Sequence, residues 1–154
     1  MPLKWIGVLW HPEISTHRLR VLTIHVRHLP DVKGFAMAQA HKITFYPVGN
    51  GDSCQIVLAA GRRILLDFCH RRVAEDENDP RIDLKKCLKD DLQSANRDYF
   101  DVVAFTHADT DHISGCTEFF ELDCAAKYQG NGRIKIKELW VPAALLIEEV
   151  ERDK

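Results

Sequence analysis

The chain has 154 residues, 45% of them hydrophobic and 29% charged, which suffices for one globular domain with its own core. Its net charge of -2 excludes a global attraction to nucleic acid. The five cysteines form no CxxC pair, and no apolar run is long enough for a signal-peptide core or a membrane span. We therefore expect a cytoplasmic protein with reduced thiols.

The first 36 residues have no clear hydrophobic period, and they hold four of the eight histidines. Within them, Leu19–Leu29 could form a short strand or a short helix. Met37 stands directly before the well-patterned segment. We therefore expect residues 1–36 to be an amino-terminal extension with little structure and residues 37–154 to form the domain, with Met37 as the natural start.

The segment after Met37 predicts three strands and a helix. They are Lys42–Tyr46, Cys54–Ala60, Arg63–Phe68 and the helix Asp83–Ser94. The strands are rich in β-branched, aromatic and aliphatic residues, and a turn-rich loop over 48–53 separates the first two. The helix has apolar residues at positions i, i+3, i+4 and i+8, and Asp83 or a residue just before it is expected to cap it.

The second half alternates strands and helices. The predicted elements are a strand Phe100–Thr106, a helix His112–Leu122, a loop 128–133, a strand Ile134–Val141 and a helix Ala143–Arg152. The first of these strands is an apolar run that indicates burial. The whole order predicts an α/β or α+β fold in which helices pack against one sheet.

Four potential metal ligands stand within six residues, directly after the predicted strand Phe100–Thr106. They are His107, Asp109, Asp111 and His112. Loops at the ends of buried strands carry sites because the sheet holds their ends rigid. Imidazole and carboxylate groups suit an ion such as zinc or manganese, so the pattern indicates a metal site. The alternative is a solvated acidic loop with one histidine capping the next helix.

This motif resembles the first metal-binding motif of the metallo-β-lactamase fold, His-x-His-x-Asp-His, with Asp109 in place of the second histidine. The variant is similar to that in the hydrolase domain of ComEC-type competence proteins. Gly49–Ser53 resembles the Gly-x-Gly-Asp-Ser loop of that group, and Ile64–Asp67 resembles its Ile-Leu-Ile-Asp strand end. The resemblance covers residues 42–141 and implies the amino-terminal part of an αββα sandwich. Cys69 departs from the pattern, because the group usually has glycine there.

The resemblance implies a hydrolase that uses a metal-activated water, with a phosphodiester, such as one within a nucleic acid, as substrate. Two ions are expected, one facing His107 and Asp109 and the other facing Asp111 and His112. Asp111 is also expected to orient the water or accept its proton. Zinc is the expected metal, and manganese or magnesium is the alternative because Asp109 adds a harder oxygen ligand.

Three residues of the other two motifs are expected to shape the site: Asp52, Ser53 and Asp67. The resemblance implies that Asp67 hydrogen-bonds the metal loop. The alternative for Asp52 and Ser53 is a side-chain-stabilised turn that joins two strands. For Asp67 the alternative is a simple cap at the end of a strand.

Family members take further ligands from the second half of a longer sandwich, whereas no histidine follows His112 in this chain. The alternative to a hydrolase is therefore a catalytically incomplete half-domain. A homodimer or a missing carboxyl-terminal half would complete such a site. A third option is a β-lactamase or thioester hydrolase, against which Asp109 and the lack of a secretion signal weigh.

Overall fold

A computed structural model of the chain describes residues 22–27, 40–74, 76–123, 125–130, 132–144 and 147, and for 22–27 it describes the backbone alone. The described strands form one mixed sheet whose spatial order follows the chain. They are β1 (Leu22–Arg27), β2 (Ala40–Phe45), β3 (Cys54–Val57), β4 (Arg63–Leu66), β5 (Tyr99–Ala104) and β6 (Lys135–Trp140). The helices are α1 (Leu84–Ser94), α2 (Thr110–Ile113), α3 (Cys116–Phe119) and a 3-10 turn, Ala126–Tyr128. The predicted α+β class is thereby confirmed.

The sheet changes from antiparallel to parallel pairing at β4. Neighbouring strands are antiparallel from β1 to β4, whereas β4, β5 and β6 run parallel. A parallel pair needs a crossover connection, and α1 forms part of the one between β4 and β5. Leu66 pairs with Ala104, so the carboxyl ends of β4 and β5 lie side by side. The segments that follow both strands therefore start at the same edge of the sheet.

Helix α1 packs through the face that its sequence period predicts. Leu84, Leu88 and Leu92 are all fully buried, whereas Cys87 is only partly buried. The predicted cap is also confirmed, because the Asp83 carboxylate accepts a 3.0 Å hydrogen bond from a backbone N–H of the first turn. The helix is therefore fixed at its amino end by a cap and along its length by burial of leucine.

Three aromatic rings form the centre of the core. Phe68 stacks on Phe119 with ring centroids 4.9 Å apart, and its ring meets that of Phe120 edge-on at 5.2 Å. All three side chains are almost completely buried. Phe68 is the second residue after the end of β4. The core therefore reaches the edge of the sheet where the metal motif begins.

One strand of the sheet comes from the amino-terminal extension. Strand β1 lies within Leu19–Leu29, for which the sequence allows either a short strand or a short helix. It pairs antiparallel with β2, from Leu22 opposite Phe45 to Arg27 opposite Ala40. The other residues of 1–36, and Met37 with them, lie outside the described residues.

The predicted helix His112–Leu122 is wrong as one element, because two short helices, α2 and α3, occupy this region. Gly115 separates them with a φ of +80°, in the left-handed region that ends a right-handed helix. Of the predicted helix Ala143–Arg152, residues 143, 144 and 147 are helical and the remainder lies outside the described residues.

Three predicted strands run at least two residues past their observed carboxyl ends, and one of them is Phe100–Thr106, because β5 ends at Ala104. Strand β4 ends at Leu66 rather than Phe68, because Asp67 adopts a left-handed φ of +55° that a strand cannot continue through. Strand β3 ends at Val57 rather than Ala60, because a tight turn follows in which the Gly61 N–H donates to the Leu58 carbonyl at 2.8 Å. For β4 and β3 the apolar run continues past a local change of backbone direction.

Candidate metal centre

The metal motif begins where β5 ends, beside the end of β4. The backbone N–H of Asp67 donates to the carbonyl of Ala104 at 2.8 Å, which continues the parallel pairing by one residue. The chain then turns away from the sheet at Thr106 and enters α2 at Thr110. The residues from His107 to His112 therefore form a short loop and one helical turn anchored on two parallel strands.

Three of the four predicted ligands come together. His107, Asp111 and His112 each offer one ligand atom, and these atoms lie within 4.8 Å of one another. The two imidazole rings are 3.5 Å apart between centroids, with an angle of 44° between their planes. His112 is buried, Asp111 is partly exposed and His107 is exposed, so the group opens to solvent on one side. This set of donors suits a borderline ion such as zinc.

The fourth predicted ligand, Asp109, lies at the margin. Its Oδ2 is 3.5 Å from Nε2 of His107, but its side chain is 78% exposed and it does not belong to the three-residue group. Its backbone has a clear role, because its carbonyl accepts the N–H of His112 at 2.8 Å and so starts α2. The side chain is thus free to approach an ion beside His107 but is not held there.

Asp67 supports the group from beneath. Its side chain is buried, and its Oδ2 lies 3.0 Å from Nδ1 of His112. Its Oδ1 accepts the backbone N–H of Thr106 at 2.7 Å, and its Oδ2 accepts the hydroxyl of Thr106 at 2.8 Å. Because a carboxylate only accepts, His112 donates from Nδ1, and in the neutral ring Nε2 then keeps a free electron pair. Metal-binding histidines are commonly held in this way by a carboxylate.

The charges around His112 favour its protonated form. Burial acts to lower the pKa of His112, but the hydrogen bond and charge of Asp67 raise it more, with Asp111 and Asp52 adding to the effect. The net result is a raised pKa. A cation on Nε2 would benefit from the same negative surroundings as a proton, so proton and metal compete for this nitrogen.

The Gly-rich loop approaches the motif through its backbone. Gly51 has a φ of +146°, and a Cβ there would lie 2.5 Å from the carbonyl oxygen of Asp111 and 2.7 Å from Sγ of Cys69. No side chain fits in that space, so glycine allows the close approach. The next residue, Asp52, is exposed and donates its N–H to the Asp111 carbonyl at 3.4 Å. Ser53 is buried and donates its hydroxyl to the Asp67 carbonyl at 3.2 Å.

Cys69 stands where the resembled motif of the ComEC-type group has glycine, and its side chain is fully buried. Burial raises the pKa of the Cys69 thiol, and although Arg71 acts in the opposite direction the net shift is upward. A neutral thiol is a poor nucleophile and a poor metal ligand. Cys69 thus places a core side chain next to the Gly51 loop.

Thr106 is the residue that the sequence reasoning missed. Its hydroxyl contacts both Asp67 and the ring of His107, at 2.8 and 2.9 Å. The available signal was a hydroxyl residue directly before the first histidine. The hydrophobic period predicts only that Thr106 ends a strand, because a pattern of apolar residues says nothing about a polar residue at the end of the pattern.

No protein-family model, no curated protein and no solved structure matches the chain. The metallo-β-lactamase resemblance of the motifs therefore stays a prediction. In the part of the chain that the structure describes, no helix has the length and apolar character needed to cross a membrane.

Proposed function

We propose that the protein is a divalent-metal-dependent hydrolase that resembles metallo-β-lactamase-fold enzymes and acts on phosphodiesters. The observation that carries the proposal is the grouping of His107, Asp111 and His112 within 4.8 Å at the adjacent ends of two parallel strands. A buried carboxylate, Asp67, supports the group from behind. A buried carboxylate behind a histidine is the arrangement by which proteins commonly orient metal-binding imidazoles.

The donor set fits a catalytic rather than a closed structural site. Structural zinc takes four protein ligands, whereas catalytic zinc takes three and leaves a position open. His107, Asp111 and His112 would hold one ion, and zinc is the metal that their donors fit best. Asp109 adjoins His107 and would bring a harder oxygen toward a second ion or toward manganese or magnesium.

An ion bound there would lower the pKa of its water toward about 7 and would so supply hydroxide as the nucleophile at neutral pH. Asp111 has two carboxylate oxygens, so one is available to the ion while the other orients the attacking water or accepts its proton. The partial exposure of Asp111 and the exposure of His107 leave substrate a path to this side of the group. The phosphodiester assignment rests on the motif resemblance, and a nucleic acid is the polymer that it suggests.

Metal stoichiometry tests the proposal most directly. Elemental analysis of the purified chain after zinc loading and dialysis should give one or two ions, and Asp111→Ala should lose them. Asp90→Ala is the matched control, because it removes an exposed carboxylate of α1 that accepts a hydrogen bond from Lys86. Hydrolysis of bis(4-nitrophenyl) phosphate and of single-stranded DNA should require the metal and Asp111. A chain that retains no metal, or Asp111→Ala with unchanged turnover, would contradict the proposal.

The second candidate function is a half-site that a partner completes. Leu139 and Trp140 of β6, the last strand of the described sheet, are 49% and 53% exposed on opposite faces of that strand, which leaves apolar surface that a partner could cover. Three ligands would also be too few for two ions. Sedimentation velocity distinguishes the candidates: metal-dependent dimers support completion by a second copy, whereas an active monomer removes the need for one.

A cytoplasmic location forms part of the proposal. The described cysteines Cys54, Cys69, Cys87 and Cys116 are all free, which fits a reducing compartment. Fractionation of cells that produce the protein would test this assignment, and recovery in an oxidising compartment would contradict it.

A further inference from the structure

The hydroxyl of Thr106 lies between a buried carboxylate and an exposed histidine. Its Oγ1 is 2.8 Å from Oδ2 of Asp67 and 2.9 Å from Nδ1 of His107. A second oxygen of the same carboxylate accepts the backbone N–H of Thr106 at 2.7 Å, so both ends of this residue are held by Asp67. The hydroxyl therefore has a fixed position and two close partners, with Nδ1 of His112 as a third and longer contact at 3.4 Å.

The number of available protons decides the direction of these bonds. A threonine hydroxyl has one proton to donate and lone pairs with which to accept. Asp67 is buried and only accepts, and a bond to a charged acceptor is stronger than a bond to a neutral ring nitrogen. The hydroxyl proton therefore goes to Asp67. The 2.9 Å contact to His107 is then a hydrogen bond only if Nδ1 of His107 is the donor.

We infer that Thr106 is a positioning residue whose hydroxyl holds the His107 proton on Nδ1 and thereby leaves Nε2 free to bind a metal ion. The inference rests on the proposed metal function for its consequence, but the proton position can be observed without metal. Asp67 acts on His112 directly and on His107 through Thr106, so one carboxylate sets the proton position on both imidazoles.

A rival arrangement exists on the exposed side of His107. Oδ2 of Asp109 lies 3.5 Å from Nε2 of His107 and would favour a proton there. That contact is longer than the Thr106 contact, and the Asp109 side chain is 78% exposed, so water weakens it. In water, neutral histidine also favours the proton on Nε2. The arrangement inferred here is thus the opposite of what an unconstrained His107 would adopt.

Long-range proton–nitrogen correlation NMR of the metal-free, isotope-labelled chain measures the proton position on each ring. The pH should lie about two units above the ordinary histidine pKa of 6.5, so that the neutral form is observed. We expect His107 and His112 both to carry the proton on Nδ1. A His107 ring with its proton on Nε2 in the unmodified protein would overturn the inference without recourse to any variant.

Thr106→Val and Thr106→Ser separate the hydroxyl from the shape of the side chain. Valine keeps the branched form but lacks the hydroxyl, so the His107 proton should move to Nε2. The His112 proton should stay on Nδ1, because Asp67 at 3.0 Å is a nearer acceptor for it than the Thr106 hydroxyl at 3.4 Å. Serine restores the hydroxyl and should restore the proton to Nδ1. Zinc affinity, measured against a competing chelator, should fall about 10–100-fold in the valine variant and recover in the serine variant.

The two measurements fail in different ways. An unchanged His107 proton and unchanged zinc affinity in Thr106→Val would overturn the positioning role. If the proton moves as expected but the unmodified chain binds no zinc, the hydrogen-bond assignment is supported and the metal function falls. Should Thr106→Val not fold, the serine variant and the proton position in the unmodified chain still decide the matter.

Discussion

The backbone N–H of Phe68 donates a 2.8 Å hydrogen bond to the carbonyl oxygen of His112. One partner is a core residue whose ring stacks on Phe119, and the other is the buried member of the candidate metal group. Two residues further along, the N–H of His70 donates to the carbonyl of Ser114 at 2.9 Å. The segment from His107 to Ser114 is thus hydrogen-bonded to residues that the aromatic core holds in place. The geometry of the candidate metal group therefore depends on the packing of the core.

Replacing Asp67 by Asn should weaken metal binding without breaking the turn. Asn tolerates the left-handed φ of +55°, but its amide nitrogen would face the donors of Thr106 and His112. Zinc affinity should fall about 10–100-fold, as for loss of other carboxylates that support histidine ligands. The pKa of His112 should also fall, because the hydrogen bond and charge that raise it are removed.

Calorimetric zinc titration and NMR titration of the His112 ring measure these two effects. Asp52→Asn is the control, because Asp52 is exposed and contacts the motif through its backbone N–H. It should change zinc affinity much less. Equal losses in the two variants would indicate a general charge effect rather than support by Asp67.

Replacing Gly51 by Ala should force the Gly-rich loop away from the metal motif. The new Cβ would lie 2.5 Å from the Asp111 carbonyl oxygen, so the backbone must shift. Overpacking of this kind costs about 1–3 kcal/mol of unfolding free energy. Gly61→Ala is the matched control, since Gly61 also has a positive φ but nothing lies within 4 Å of its added Cβ.

Urea denaturation compares Gly51→Ala, which has both a clash and a positive φ, with Gly61→Ala, which has a positive φ alone. Gly51→Ala should have the lower midpoint and the weaker zinc binding. Equal midpoints would mean that the loop moves freely and that its approach to Asp111 contributes little.

Replacing Asp91 by Asn should loosen α1 from the sheet. The Asp91 carboxylate accepts from Nε2 of Gln55 on β3 and from Nε of Arg63 on β4, both at 2.8 Å. Hydrogen bonds that involve a charged group contribute about 1.5–3 kcal/mol each, so we expect a loss of about 1–3 kcal/mol. The exposed pair of Lys86 and Asp90 on the same helix should contribute no more than about 0.5 kcal/mol, which makes Asp90→Asn the control.

The loss in Asp91→Asn should depend on pH. Burial acts to raise the pKa of Asp91, but the hydrogen bonds from Arg63 and Gln55 lower it more, so the folded-state pKa lies below the ordinary value near 3.9. The ionised group therefore stabilises the fold above about pH 4, and this stabilisation is lost as the pH falls through the folded-state pKa. The urea midpoints of the unmodified protein and of Asp91→Asn should converge in acid. A difference that stays constant with pH would argue against stabilisation by the ionised Asp91 carboxylate.

The sequence predicted most of the elements but not their ends or the second layer of the site. Helix α1 was predictable because its leucine period and the cap at Asp83 are both local signals. Asp67 was not predictable as a boundary, because Phe68 and Cys69 continue the apolar run after it. Gly115 is a local signal for the end of a helix, but the apolar residues Phe119, Phe120 and Leu122 favoured one longer helix. The role of Thr106 depends on Asp67, which lies 39 positions away in the chain, and no local pattern reports a contact of that range.

Strand β1 has a consequence for any shortened form of the protein. It occupies the hydrogen-bonding edge of β2 over the whole length of that strand. A protein that began at Met37 would present this edge, with its main-chain donors and acceptors unmatched, to every other copy in solution. Unprotected edges of this kind recruit strands from neighbouring molecules. The choice of start site would then decide between a dispersed protein and a self-associating one, even though the candidate metal ligands are the same in both.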